Sequence, residues 1–109
     1  VALQAKSKSV QVVLGPNINL HRDPRGGRNF ESFSEDPLLT GQLGAAIVNG
    51  IQSQGVGACV KHFVANESET VRRRYNVDES GDNRTMREVY LRAFQHLLRK
   101  SNPVSIMTA

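Results

Sequence analysis

Two clusters in this sequence combine residue types that do chemistry with neighbours that could aim them. Lys61-His62-Phe63 sets a cation and an imidazole side by side at the end of an apolar run. An ammonium carries three donors, and a neutral imidazole donates from one nitrogen and accepts at the other, so the pair suits hydroxyls or anions. The second cluster is the polar stretch from Gly15 to Pro37, which carries Arg22, Arg25 and Arg28 around Gly26-Gly27. Each guanidinium offers a planar fork of donors to carboxylates or hydroxyls, and the glycine pair lets the backbone approach a neighbour closely. Plainer roles stand beside these. The arginines can pair with Asp23, Glu31, Glu35 or Asp36 to hold the loop, Lys61 can be an ion-pair partner, and His62 can be a satisfied packing residue. Residue types alone leave both readings open.

The elements that must position these clusters follow from apolar patterning. Val10 to Leu14 is a short β-branched run closed by Gly15-Pro16, expected as a strand buried on both faces. The segment before it is compatible with the tail of an earlier helix. Residues 16–35 show no period, and so long a structureless stretch in a compact domain is often functional. Asp36-Pro37 is a helix start, with a capping carboxylate and Pro at the first helical position. Leu39, Leu43, Ala46, Ile47, Gly50 and Ile51 follow at helical spacing, with an end expected near Gly55. Val56 to Val60 reads as a second buried strand running into Lys61-His62, and a polar loop covers roughly residues 64–82. Met86, Val89, Tyr90, Ala93, Phe94, Leu97 and Leu98 form one stripe of a second helix, capped by Asp82 or Asn83. Asn102-Pro103 breaks it, and Val104 to Ala109 begins a third strand. The order β-loop-α-β-loop-α-β with near-continuous apolar strands predicts a parallel sheet with crossover helices. Part of a (β/α)8 barrel and part of a doubly wound sheet both fit this pattern. Lys61-His62 then leaves the C-terminal edge of the sheet, where such folds bind ligands.

Composition narrows the function classes. The 109 residues are 39% hydrophobic and 22% charged, which is globular and not disordered. A net charge of +4 and a pI near 9.7 admit nucleic acid, yet basic residues are interspersed with acids, and only Arg72-Arg73-Arg74 forms a run. That run reads as a solvated loop rather than a phosphate patch. No apolar stretch reaches the roughly 18 residues needed to span a bilayer. The single cysteine, Cys59, rules out an internal disulfide and a CxxC-type zinc site, and its apolar neighbours predict a buried, inert thiol. The chain opens at Val1 and stops at Ala109 just after an apolar run, so it is expected to be an internal piece of a longer protein.

The loop from Gly15 to Pro37, followed by Gln52 to Glu69 (QSQGVGACVKHFVANESE), strongly resembles glycoside hydrolase family 3 in its β-glucosidase branch. Asn83 to Leu91 and the closing Ile106-Met107-Thr108-Ala109 resemble the next two blocks of that family, in order, so the likeness runs from about residue 10 to 109. It implies that residues 1–109 are an internal fragment of an N-terminal (β/α)8, TIM-barrel-like domain. It implies retaining hydrolysis of terminal, non-reducing β-D-glucosyl residues, without metal or organic cofactor. The family's arginine of the GGR-type motif falls on Arg28 and its Lys-His pair on Lys61 and His62. These three residues are thereby expected to bind non-reacting hydroxyls of the sugar. Its nucleophilic aspartate would lie beyond Ala109 and its acid/base glutamate in a further domain, so no catalytic residue is expected here, and Asp23, Glu31, Glu35, Asp36, Glu67 and Glu69 are expected to brace loops.

Val64-Ala65-Asn66-Glu67 follows Lys-His-Phe where the N-acetylglucosaminidase branch has a loop bearing glycine, histidine and aspartate, which argues against that branch. Arg72 to Gly81 departs from the family pattern. The expected partners are a β-glucoside or short β-glucan oligosaccharide and the rest of the parent enzyme, with no nucleic acid and no membrane. The alternatives are a non-catalytic module binding carbohydrate or nucleic acid, and a related exo-acting glycosidase such as a β-xylosidase. Localisation, aglycone and linkage preference do not follow from these residues.

Overall fold

A computed structural model describes residues 1–67, 69–70, 73–74 and 83–109. Along the chain run α1 (Ala2–Ser7), β1 (Val12–Val13), a 3-10 turn (Asn29–Glu31), α2 (Pro37–Gln52) and β2 (Gly57–Phe63). A small antiparallel pair follows, β3 (Glu69–Thr70) with β4 (Arg73–Arg74). Then come α3 (Asn83–Thr85), a π-helical turn (Met86–Tyr90), α4 (Leu91–Lys100) and β5 (Ser105–Thr108). Arg72, Asp82 and Gly81, singled out above, lie outside the described residues.

The sheet has the order β1-β2-β5, and both pairings of β2 are parallel. Spatial order therefore repeats chain order, each strand being reached through a helical crossover, as expected for consecutive units of a (β/α)8 barrel. Val12 lies opposite Gly57, and Cys59 opposite Ser105. Ala58, Cys59 and Val60 are buried in succession, so β2 is covered on both faces. The Cys59 thiol is free and buried, as its neighbours predicted. Parallel pairing extends past β1 through the loop: Lys61 N donates to Pro16 O at 3.0 Å and Ile18 N donates to Lys61 O at 2.8 Å.

β1 departs from expectation. Only Val12-Val13 pairs, and Val10, Val12 and Leu14 are exposed. The strand stands at the edge of the described sheet, so an apolar sequence suited to burial has one neighbour here.

α2 starts where predicted. Asp36 Oδ1 accepts from the backbone N–H of Leu38 at 2.7 Å and of Leu39 at 3.4 Å, with Pro37 behind it. Its buried face, however, is not the stripe of large apolar residues. Leu39, Leu43 and Ile47 are exposed, whereas Thr40, Gly41, Gly44, Ala45, Val48 and Ile51 are buried. α4 packs so closely that a Cβ on Gly41 would lie 2.8 Å from Ala93 O, and one on Gly44 would lie 2.8 Å from Leu97 Cδ1. Small residues permit that approach, and they win over the larger ones next to them. The helix stops at Gln52, three residues short of Gly55, which takes φ +75°. The α2 end also holds the chain entering β5: Gln52 Oε1 accepts from Val104 N at 3.1 Å, and Gln52 Nε2 donates to Asn102 O at 2.9 Å.

The second stripe behaves as the sequence predicts. Tyr90, Ala93, Phe94 and Leu97 are buried and Val89 packs against the core, while Leu98 alone turns outward. Phe94 meets Phe63 edge-on at 5.1 Å, which clamps the end of β2 to α4. The Lys61–His62 and Phe63–Val64 peptide bonds are cis.

Candidate functional site

Lys61 and His62 emerge at the end of β2, beneath the long loop that follows β1. Adjacent strand residues ordinarily point to opposite faces. Here the pairing with β5 slips between Lys61 and Phe63, and an irregularity of this kind re-aims side chains. Both Lys61 and His62 reach the same cluster, built around Arg28 and Glu31 in and beside the 3-10 turn.

Arg28 clasps Glu31 with two parallel bonds, Nε to Oε1 at 2.7 Å and Nη2 to Oε2 at 3.0 Å. Lys61 Nζ comes from the strand to the same Oε2, also at 3.0 Å. The Lys61 side chain is only 15% exposed and that of Glu31 23%, so the pairs are sheltered from screening. The Arg28 guanidinium above all, and then the Lys61 ammonium, hold the Glu31 carboxyl down to about 2 against the opposing effect of burial. Glu31 is thus ionised at any pH near neutrality.

His62, 8% exposed, is fixed from the loop by Asn19. Asn19 Nδ2 donates to His62 O at 3.0 Å, and Asn19 Oδ1 accepts from His62 N at 3.1 Å. These two backbone groups leave the amide one orientation. Its Oδ1, 3.2 Å from His62 Nδ1, can only accept, so the ring proton of the neutral imidazole sits on Nδ1. Nε2 is then the acceptor, and it faces Arg28 Nη1 at 3.4 Å. Asn17, also buried, accepts from Asn19 N at 3.0 Å, and Glu67 Oε1 accepts from Leu20 N at 3.1 Å. The far side of the loop is braced separately. Asp23 pairs with Arg25 at 2.8 Å, the Arg22 guanidinium lies 5.2 Å from the Tyr90 ring centroid, and His21 Nε2 donates to Asn29 O at 2.8 Å. Gly26 serves close approach, since a Cβ there would sit 2.7 Å from Asn29 Oδ1.

The structure therefore brings Arg28, Lys61 and His62 together and leaves Arg22 and Arg25 outside the cluster. Glu31 was expected to brace the loop, and it does; its reach to Lys61 across the strand end was not foreseen. Asn17 and Asn19 were missed altogether. A polar cleft between Arg28 and Glu67 is also lined by Asn17, Asn19, Asn66 and Ser32. A larger, open cleft of about 520 Å³ lies beside His21, Asp23, Phe30 and Glu35, and it includes none of the three expected binders. The arrangement sets the cationic donors of Lys61 and Arg28 beside His62, whose Nε2 faces Arg28 Nη1, a polar set suited to the oxygens of hydroxyl groups.

Comparison with known proteins adds the following. The family model described as "Glycosyl hydrolase family 3 N terminal domain" matches residues 1–109. The chain is 48% identical to beta-glucosidase B of Emericella nidulans over 109 residues, covering all of this chain and 13% of that protein. It is 47% identical to an exo-alpha-(1->6)-L-arabinopyranosidase of Bifidobacterium longum, covering 98% of this chain and 14% of the relative. Among solved structures, the beta-glucosidase of Kluyveromyces marxianus in complex with glucose superposes with a TM-score of 0.89 at 44% identity, over 99% of this chain and 13% of that one. The chain spans about an eighth of the length of these relatives.

Proposed function

We propose a function from one premise: the chain belongs to the family of glycosyl hydrolase family 3 N-terminal domains. The complete protein is a retaining β-glucosidase that removes terminal β-D-glucosyl units from the non-reducing end of β-glucosides or short β-glucan oligosaccharides. Residues 1–109 are an internal portion of its barrel domain and supply part of the sugar-binding wall. The observation that carries this reading is the convergence of Arg28, Lys61 and His62 on one polar cluster at the C-terminal end of β2.

In this role Lys61 and Arg28 donate to sugar hydroxyls, and His62 Nε2 exchanges its 3.4 Å contact with Arg28 Nη1 for a hydroxyl of the bound sugar. A hydrogen bond from a charged donor contributes about 1.5–3 kcal/mol. Such binding, remote from the cleaved bond, holds the ring in the distorted shape of the oxocarbenium-like transition state. The nucleophile and the acid/base belong to other parts of the enzyme, so Asp23, Glu31, Glu35, Asp36 and Glu67 take no covalent or proton-transfer role.

Lys61→Ala in the complete enzyme is expected to lower kcat/KM on an aryl β-glucoside about 10- to 100-fold, the equivalent of one lost charged hydrogen bond. An unchanged value would remove Lys61 from the wall. The arabinopyranosidase relative favours a second reading, in which a pentopyranosyl group occupies the site. Higher kcat/KM on an aryl α-L-arabinopyranoside than on the glucoside would establish that reading instead.

A further inference from the structure

The carboxylate of Glu31 is the common partner of both cations in the wall. Arg28 lies three residues before it on the loop, whereas Lys61 comes from β2, so this one carboxylate ties loop to strand. Arg28 Nη2 and Lys61 Nζ each lie 3.0 Å from the same oxygen, Oε2. They are therefore held within about 6 Å of each other, a range in which like charges repel unless an anion lies between them.

We propose that Glu31 is a positioning residue for sugar binding: its ionised carboxylate fixes Arg28 and Lys61 at the spacing at which both meet hydroxyls of one sugar ring. It acts through those two side chains and not on the sugar. The proposal rests on the reading of Arg28 and Lys61 as sugar binders.

Three features of the geometry support it. The clasp on Arg28 is bidentate, which sets the plane of the guanidinium as well as its place. Lys61 has three N–H donors and directs one toward Glu31, which leaves donors for hydroxyls while the ammonium stays anchored. The neighbouring His62 is held by Asn19, whereas Glu31 is bonded directly to both Arg28 and Lys61. A neutral amide cannot replace the carboxylate. Whichever way glutamine turned, its NH2 group would face a donor of Arg28 or Lys61, and one arm of the clasp would open.

The test uses the complete enzyme and four variants, Glu31→Gln, Glu31→Asp, Lys61→Ala and Asp23→Asn, with an aryl β-glucoside and its monodeoxy analogues. Glu31→Gln is expected to lower kcat/KM about 10- to 100-fold, the scale of a small misplacement of binding groups. Glu31→Asp keeps the charge and is expected to restore part of that loss. Asp23→Asn removes the exposed pair on the far side of the same loop and is expected to stay within about twofold of the parent enzyme. The Glu31→Gln penalty should shrink on the analogue whose missing hydroxyl also shrinks the Lys61→Ala penalty. Parent-like activity of Glu31→Gln beside an impaired Lys61→Ala would overturn the proposal. So would a Glu31→Gln loss equal on every analogue and accompanied by a lower melting temperature, which marks simple loop bracing. A fully active Lys61→Ala would instead overturn the sugar-wall reading itself, and Glu31's role with it.

Discussion

Replacing Asn19 by alanine would remove the hydrogen bonds that its amide makes to three groups of His62, the backbone N–H, the backbone C=O and Nδ1–H. The site is buried, and each buried group left without its partner costs about 1–3 kcal/mol. Asn19→Ala in the complete enzyme is expected to lower the thermal midpoint and, on the proposed role of His62 in sugar binding, also kcat/KM, because the imidazole is then free to turn. Parent-like values of both would show that the amide grip is dispensable. At this scale the sequence was informative in part. Arg28, Lys61 and His62 could be named because they sit in motifs with a recognisable order. Asn19 could not, because its role depends on facing a residue 43 positions away, and a lone amide in an aperiodic loop carries no mark of that partner. Glu31 read as a bracing carboxylate from its place near Arg28, but nothing in its neighbourhood announced Lys61.

At the scale of elements, the two helices differ in how openly the sequence states their packing. The stripe through Tyr90, Ala93, Phe94 and Leu97 is legible because large apolar residues mark the buried face. α2 inverts the rule, burying Gly41, Gly44 and Ala45 while Leu39, Leu43 and Ile47 face outward. Apolar periodicity counts size, whereas a close helix crossing requires its absence. Two substitutions separate these effects. A Cβ on Gly44 would stand 2.7 Å from Ile18 Cγ2 and 2.8 Å from Leu97 Cδ1, so Gly44→Ala is expected to destabilise by about 1–3 kcal/mol. Gly50 is in the same helix with nothing within 4 Å of its added Cβ, so Gly50→Ala is expected to raise stability by up to about 1 kcal/mol. Thermal unfolding of both variants checks the pair, and shifts of the same sign would contradict this account of the crossing.

For the molecule as a whole, apolar patterning admitted either a barrel or a doubly wound sheet, since both use buried parallel strands. Strand order is a property of the folded chain, and here it advances in one direction from β1 through β2 to β5. Both outer strands have open edges among the described residues, Leu14 after β1 and Ile106 in β5 are exposed, and so are Leu43 and Ile47 on α2. Open edges and uncovered apolar faces favour association. The 109 residues expressed alone are therefore expected to self-associate in sedimentation and to leave an aryl β-glucoside uncleaved. Monomeric behaviour with measurable turnover would refute both expectations. The Asn19 amide has one more consequence, for how the chain threads itself. It reads His62 through a donor and an acceptor at once, as one base reads another. A shift of one position would bring Ile18 or Leu20 there, and neither side chain can donate or accept. The same shift would pull those two residues out of the core, where they are 1% and 2% exposed. The register of the loop against β2 is thus specified twice, by the Asn19 amide and by the burial of the residues on either side of it.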